Sequence, residues 1–134
     1  RSLIYAPLYD RDDCPLDKSI LPHYDALFYE PFYQFMRQQF LAQEMERAHE
    51  VGADVVSLLH IAPAHNHDFP TVTSPDLRGV GSSVTEVWKR LVKASDRFAS
   101  VSTEALFGKF SANEHPDLAA WSDYVNTRYA WLVE

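Results

Sequence analysis

The sequence predicts an α/β fold: a small parallel or mixed sheet flanked by helices, in the order helix, strand, helix, strand, helix. Three observations predict it. Residues 54–61, Asp-Val-Val-Ser-Leu-Leu-His-Ile, are nearly unbroken in Val, Leu and Ile, the mark of a strand covered on both faces. Segments with helical periodicity stand on either side of that run. Strands and helices that alternate along a chain imply parallel strands joined by crossover helices.

Residues 1–27 read as an irregular, proline-rich arm. Pro7, Pro15 and Pro22 punctuate it, with Asp10-Arg11-Asp12-Asp13 between them, and prolines at that density break helices and central strands. Its Ile4, Tyr5, Leu8, Tyr9, Ile20 and Leu21 suit an arm lying on an apolar surface rather than a flexible linker. The α/β domain proper is expected over 28–134. Its first helix spans 28–51, with Pro31 in the first turn, Arg47 and His49 near the end, and Gly52 as the stop. The strand at 54–61 follows, then a loop over 62–81 holding Pro63, Pro70, Pro75, Gly79 and Gly81. A second helix is expected at about 83–95, where Ser83 and Glu86 make a capping-box pattern and Val84, Val87, Trp88, Leu91 and Val92 share a face. Residues 97–103 read as a short strand. A last helix over about 116–132 opens at Pro116 and Asp117, with Leu118, Trp121, Tyr124, Val125, Tyr129 and Leu132 as its apolar face. Two strands make a thin sheet, so further strands are expected elsewhere, in more sequence or in a second copy of the chain.

Composition narrows the function. The 134 residues are one domain's worth, long enough to bury a core. Hydrophobic residues make up 46% and charged residues 23%, which excludes collagen-like, coiled-coil and wholly disordered chains. Twelve Lys and Arg against nineteen Asp and Glu give a net charge of −7, which argues against a broad basic surface for nucleic acid or anionic lipid. No apolar run approaches the roughly 20 residues of a membrane span, and no leader peptide is visible. Cys14 is the only cysteine, which excludes an internal disulfide and a cysteine-based zinc site and favours a reducing, cytoplasmic setting. The chain begins at Arg1 without an initiator Met, so a fragment of a longer protein is expected.

The first helix carries an anomaly. At 100° per residue, Phe28, Phe32, Phe35, Met36 and Phe40 cover one side. Opposite runs a second stripe, apolar at Leu41, Met45 and Ala48 but polar at Gln34, Arg37 and Gln38. Polar groups in a buried stripe must find partners, since an unsatisfied buried amide costs about 1–3 kcal/mol. Either the helix tilts out of the core at that end, or these three side chains line a cleft. An amide offers both donor and acceptor, and a guanidinium offers a fork for phosphate or carboxylate.

The run from Tyr33 to Ala42 (Tyr-Gln-Phe-Met-Arg-Gln-Gln-Phe-Leu-Ala), the spacer ending at Gly52, then Val55 to Pro63 and Asn66, resembles one stretch of the PD-(D/E)XK nuclease superfamily, in particular its bacterial restriction-endonuclease-like branch. The similarity covers 29–68, and 80–132 follow the family by element order alone. In that family a Gln…Arg…Leu-Ala helix follows the catalytic strands and leads into a buried strand ending in Pro and Asn. The resemblance implies that Gln34, Arg37 and Gln38, with Asn66, face a DNA-cleavage site and touch the substrate. The family's Asp and Glu-x-Lys strands, which hold Mg²⁺ to activate water, have no counterpart here: Asp17-Lys18 lacks the spacer, and Glu86 and Lys89 lie in a helical pattern. The resemblance therefore places those strands before Arg1, assigns no catalytic residue and no metal to this chain, and implies inactivity of the chain alone. A second function class fits the same composition: a non-enzymatic α/β interaction module that oligomerises through its aromatic residues.

Other candidate chemistry is thinner. His60, His65, His67 and Asp68 are the densest ionisable cluster, able to ligate zinc if the loop is extended, though His60 in a strand suits a satisfied core histidine. Cys14 has acidic neighbours, which oppose a reactive thiolate. Gly79-x-Gly81-Ser82-Ser83 lacks the lysine of a phosphate-binding loop, so Ser82 and Ser83 fit a helix cap.

Overall fold

The computed structural model describes residues 2–21, 23–107 and 115–130. Pro22, Trp131 and Leu132, and with them the expected end of the last helix, lie outside the described residues. The architecture is α/β: helices α1 (Ser2–Asp10), α2 (Phe32–Ala48), α3 (Val84–Leu91), α4 (Thr103–Phe107) and α5 (Ala119–Arg128), with strands β1 (Leu58–Ala62) and β2 (Phe98–Ser102) paired in one parallel two-stranded sheet. The chain divides into two compact units, 1–58 with 67–99, and 59–66 with 100–134.

In the first unit the core is built around α2. Phe32, Phe35, Met36 and Phe40 are buried on one side of it, as their spacing demands. The Phe35 ring meets Trp88 of α3 and Phe98 at 5.4 Å each, and Phe69 at 6.1 Å. Edge-on and tilted ring pairs of this kind add to the burial of their large surfaces. The second stripe of α2 is not buried: Gln34, Arg37, Gln38, Leu41 and Ala48 are exposed and Met45 is half-buried. The helix lies on the core by one face only, so its other polar groups face water without cost. Helix α2 stops at His49, whose left-handed backbone (φ 48°) ends it three residues before the expected Gly52. Val51 also holds a positive φ, 51°, uncommon for a β-branched residue.

The expectation of an irregular arm over 1–27 is corrected. Residues Ser2–Asp10 form α1 with Pro7 inside it. Proline removes one helical hydrogen bond, and the half-buried Tyr5, Leu8 and Tyr9, packed on the core, offset that loss. Cys14, Leu16 and Leu21 are themselves buried. Leu16 pairs with Val92 in an antiparallel bridge, flanked by Asp17 N–H to the Leu91 carbonyl at 2.7 Å and Lys93 N–H to the Pro15 carbonyl at 2.9 Å.

Helix α3 opens as its pattern predicts, with the Ser83 hydroxyl accepting from Glu86 N–H at 3.3 Å. The reciprocal arm differs from a standard capping box, since the Glu86 carboxylate accepts from Ser82, through its N–H at 2.8 Å and its hydroxyl at 2.5 Å. The helix ends at Leu91 because Val92 is already extended for its bridge to Leu16. A carboxylate at the far end of α2 ties this unit together: Glu46 accepts from Val56 N–H at 2.7 Å and from Arg97 at 3.1 Å.

In the second unit, β1 does not show the two covered faces expected of 54–61. Leu59 and Ile61 are exposed while Leu58, His60 and Ala62 are half-buried, the alternation of a strand with one covered face. The face expected to be apolar on the last helix is open too: Val125 is buried, but Leu118, Trp121, Tyr124 and Tyr129 are exposed. Helix α4, absent from the expectation, fills the stretch after β2.

The Glu46 arrangement yields a stability prediction. Replacing Glu46 by Ala leaves the Val56 N–H and the Arg97 guanidinium without their acceptor, and charged hydrogen bonds of this kind contribute about 1.5–3 kcal/mol. Chemical denaturation is expected to show a loss in that range for Glu46→Ala, against less than about 0.5 kcal/mol for Glu50→Ala on the exposed turn beyond α2.

Candidate functional site

A concavity of about 490 Å³ opens between α1 and α2, lined by Tyr5 and Leu8 from α1 and by Gln34, Arg37, Gln38, Phe40, Leu41 and Glu44 from α2. Its floor follows from ring packing. Tyr5 stacks on Phe40 with centroids 6.4 Å apart and meets Tyr33 edge-on at 6.1 Å, which seats α1 against α2. Tyr9, Tyr24 and Phe28 continue the chain of rings at 5.0 Å steps, and Phe28 closes it on Tyr33 at 6.1 Å. Burial pushes the Tyr24 phenol up to about 12, so it stays protonated throughout the ordinary range.

Arg37 is positioned by neutral groups. Its Nε donates to the Tyr5 hydroxyl at 3.1 Å, its Nη1 to the Gln34 amide oxygen at 3.5 Å, and its guanidinium lies 5.7 Å from the centre of the Tyr33 ring. No carboxylate pairs with it among the described residues. Arg11, Arg47, Arg90 and Arg97 each pair with one. At the other end of the concavity Glu44 is already engaged, by Arg11 at 2.6 Å and Arg47 at 3.6 Å. Arg11 also forks onto Asp13 at 2.9 and 3.0 Å, which holds the Asp13 carboxyl below its usual range. The Gln43 amide donates to the Asp13 carbonyl beside it. The site thus presents one cation without a counter-charge, two amides, and apolar and aromatic walls.

Gln34, Arg37 and Gln38 thus share a concavity, but its second wall is α1 and not the end of a strand. Asn66 falls in the second unit, where its N–H donates to the Pro63 carbonyl at 3.1 Å. Tyr5, Leu8 and Glu44 were not foreseen. The spacing Tyr5, Leu8, Tyr9 is i, i+3, i+4, a helical signal that the surrounding prolines obscure.

His65 belongs to the second unit and His67 to the first, and among the described residues no group of three or more His, Cys, Asp or Glu could hold a metal ion. His60 Nδ1 lies 3.1 Å from the Ser100 hydroxyl, and burial lowers the histidine's pKa. Glu104 accepts from Ala64 N–H with both oxygens, at 3.0 and 3.1 Å, and that hydrogen bond lowers its pKa. Cys14 is fully buried. Among the described residues no helix is long and apolar enough to cross a membrane.

The fold and the concavity define a small α/β domain with an exposed, pre-positioned arginine, and comparison with family models places it among restriction-endonuclease-related domains. The chain belongs to the family described as "Restriction Endonuclease associating with ARP", which matches residues 2–130. No curated protein and no solved structure matches the chain.

The Asp13 geometry fixes a pH dependence. A carboxylate with a depressed folded-state pKa contributes stability above its unfolded value, near 3.8, and that contribution is lost as pH falls through the lowered value. Through this group the melting temperature is expected to fall below about pH 4, in addition to the loss that His60, with its lowered pKa, brings as pH falls below 6.5. Asp13→Asn should flatten part of that fall, measured by circular dichroism melts across the range.

Proposed function

We propose that this chain is the substrate-gripping part of a PD-(D/E)XK-type DNA-cleaving assembly, in which Arg37, Gln34 and Gln38 hold backbone phosphate. The observation that carries this reading is the Arg37 guanidinium, held by Tyr5 and Gln34 with no carboxylate partner among the described residues. A cation pre-aimed by neutral groups keeps its full charge for an incoming anion. The restriction-endonuclease-related family supports phosphodiester as the ligand. The net charge of −7 opposes distant attraction, but at physiological salt fields fade within about 8 Å, so a local cation decides the contact.

Hydrolysis itself needs carboxylates. No Asp-x-Lys or Glu-x-Lys occurs anywhere in the chain. In this reading the metal-holding carboxylates come from outside these residues, and Mg²⁺ there supplies the activated water. The chain's own role is to fix the phosphate and to exclude misplaced backbone. Asn66 is a further phosphate contact in the same reading. ARP, the associate in the family description, is proposed as the protein that works beside it.

Two outcomes test this. The 134-residue chain with Mg²⁺ is expected to leave supercoiled plasmid intact. In fluorescence anisotropy with labelled DNA, Arg37→Gln is expected to lower the slope of log K against log salt by about 0.9, the loss of one phosphate contact. An unchanged slope removes Arg37 from the interface.

A second reading is favoured by the aromatic residues of α5. Trp121 is 41% and Tyr124 54% exposed, with Arg128 stacked 5.8 Å from the Tyr124 ring. In that reading the chain is a non-enzymatic module that oligomerises through this surface. Sedimentation decides it: a dimer dissociated by Trp121→Ser with Tyr124→Ser, together with no DNA binding at low salt, favours the module.

A further inference from the structure

The α1–α2 concavity has a chemistry more specific than a phosphate grip. We propose that it receives an unpaired nucleobase of a nucleic acid strand, with the adjoining phosphate on Arg37. This deepens the phosphate-gripping reading and rests on it.

Four features of the site support the proposal. First, size: about 490 Å³ lies inside the range of roughly 300–1,000 Å³ typical of small-ligand pockets. Second, walls: Leu41 is 60% exposed and Tyr5 and Leu8 are half-buried, which leaves apolar surface above the buried Phe40 for the flat face of a base. Third, edges: Gln34 and Gln38 stand one helical turn apart on α2, and each amide offers a donor and an acceptor, the complement of a base's hydrogen-bonding edge. Fourth, charge: among the described lining residues the one anion, Glu44, is engaged by Arg11 and Arg47, and the one cation, Arg37, stands beside the two amides.

Shape favours a protruding base over the intact duplex as occupant. A protein reads a paired duplex by pushing a convex element, a helix or ribbon, into a groove. Here the polar groups line a hollow, so the nucleic acid must supply the protruding part. A base is free to protrude only from a single strand, a bulge or a flipped position. Phosphate alone would satisfy Arg37 but would leave the apolar walls without purpose.

The test uses the whole chain and an oligonucleotide carrying one 2-aminopurine, presented in a single-nucleotide bulge or in a fully paired duplex of equal length. Binding to the bulge is expected to be about tenfold tighter than to the paired duplex at matched salt, with a change in 2-aminopurine fluorescence. Leu41 is 60% exposed, so Leu41→Trp fills the hollow without disturbing the core. This variant is expected to abolish the preference for the bulge, to keep the wild-type melting temperature, and to keep the salt slope that depends on Arg37. Equal affinity for both oligonucleotides, or a preference that survives Leu41→Trp, overturns the base pocket. If the Arg37→Gln slope change persists in that case, the phosphate grip stands without it. If neither oligonucleotide binds, both readings fall.

Discussion

The concavity and the aim of Arg37 depend on one residue, Tyr5, seated against Tyr33 and Phe40. Those ring pairs hold α1 along α2 and so create a hollow where α2 alone would offer a flat polar flank. The same Tyr5 then uses its hydroxyl on the Arg37 side chain. One aromatic residue thus builds a wall and aims a charge. Its apolar ring is covered by packing while its polar tip stays at the rim, a division of labour natural to tyrosine.

The electrostatics follow a consistent rule. In an acidic chain arginines are expected to be absorbed by carboxylates, and most of the described ones are: Arg11 and Arg47 share Glu44 and Asp13, Arg90 takes Glu86, and Arg97 takes Glu46. These pairs are structural. Arg11 and Arg97 join their segments to α2, Arg90 pairs within α3, and little charge is left to offer. Arg37, like Arg78 and Arg128, has no carboxylate partner among the described residues, and of these three it is the one that lines the concavity. Position, not total charge, distinguishes it.

Part of this was legible in the sequence because it follows from local chemistry. The buried face of α2, the Ser83 cap of α3 and the short second strand all rest on spacing and capping within a few residues, which a sequence displays directly. Gln34, Arg37 and Gln38 were visible as polar residues of the second stripe of α2, but the burial expected of that stripe is absent, since all of it but the half-buried Met45 is exposed. The errors arose where distant residues decide. Counting prolines hid α1, because the surface that stabilises it belongs to α2 and cannot be seen from 1–27 alone. Reading 54–61 as doubly covered assumed packing on both faces, whereas β1 is covered on one face only and leaves Leu59 and Ile61 exposed. Without the first helix in view, Tyr5, Leu8 and Glu44 could not be assigned to a site.

The bridge between Leu16 and Val92, with its flanking hydrogen bonds, also bears on the order of assembly. While the polypeptide emerges from the ribosome, residues 15–17 have nothing to clasp until 91–93 have cleared the exit tunnel. Residues 14–16 therefore wait, the Cys14 and Leu16 side chains still wet, through the synthesis of α2, β1 and α3. Such late, non-local closure slows folding and lengthens the interval in which greasy side chains are vulnerable to aggregation. A nascent chain arrested before α3 would lack the clasp, and chaperones would meet it in that state.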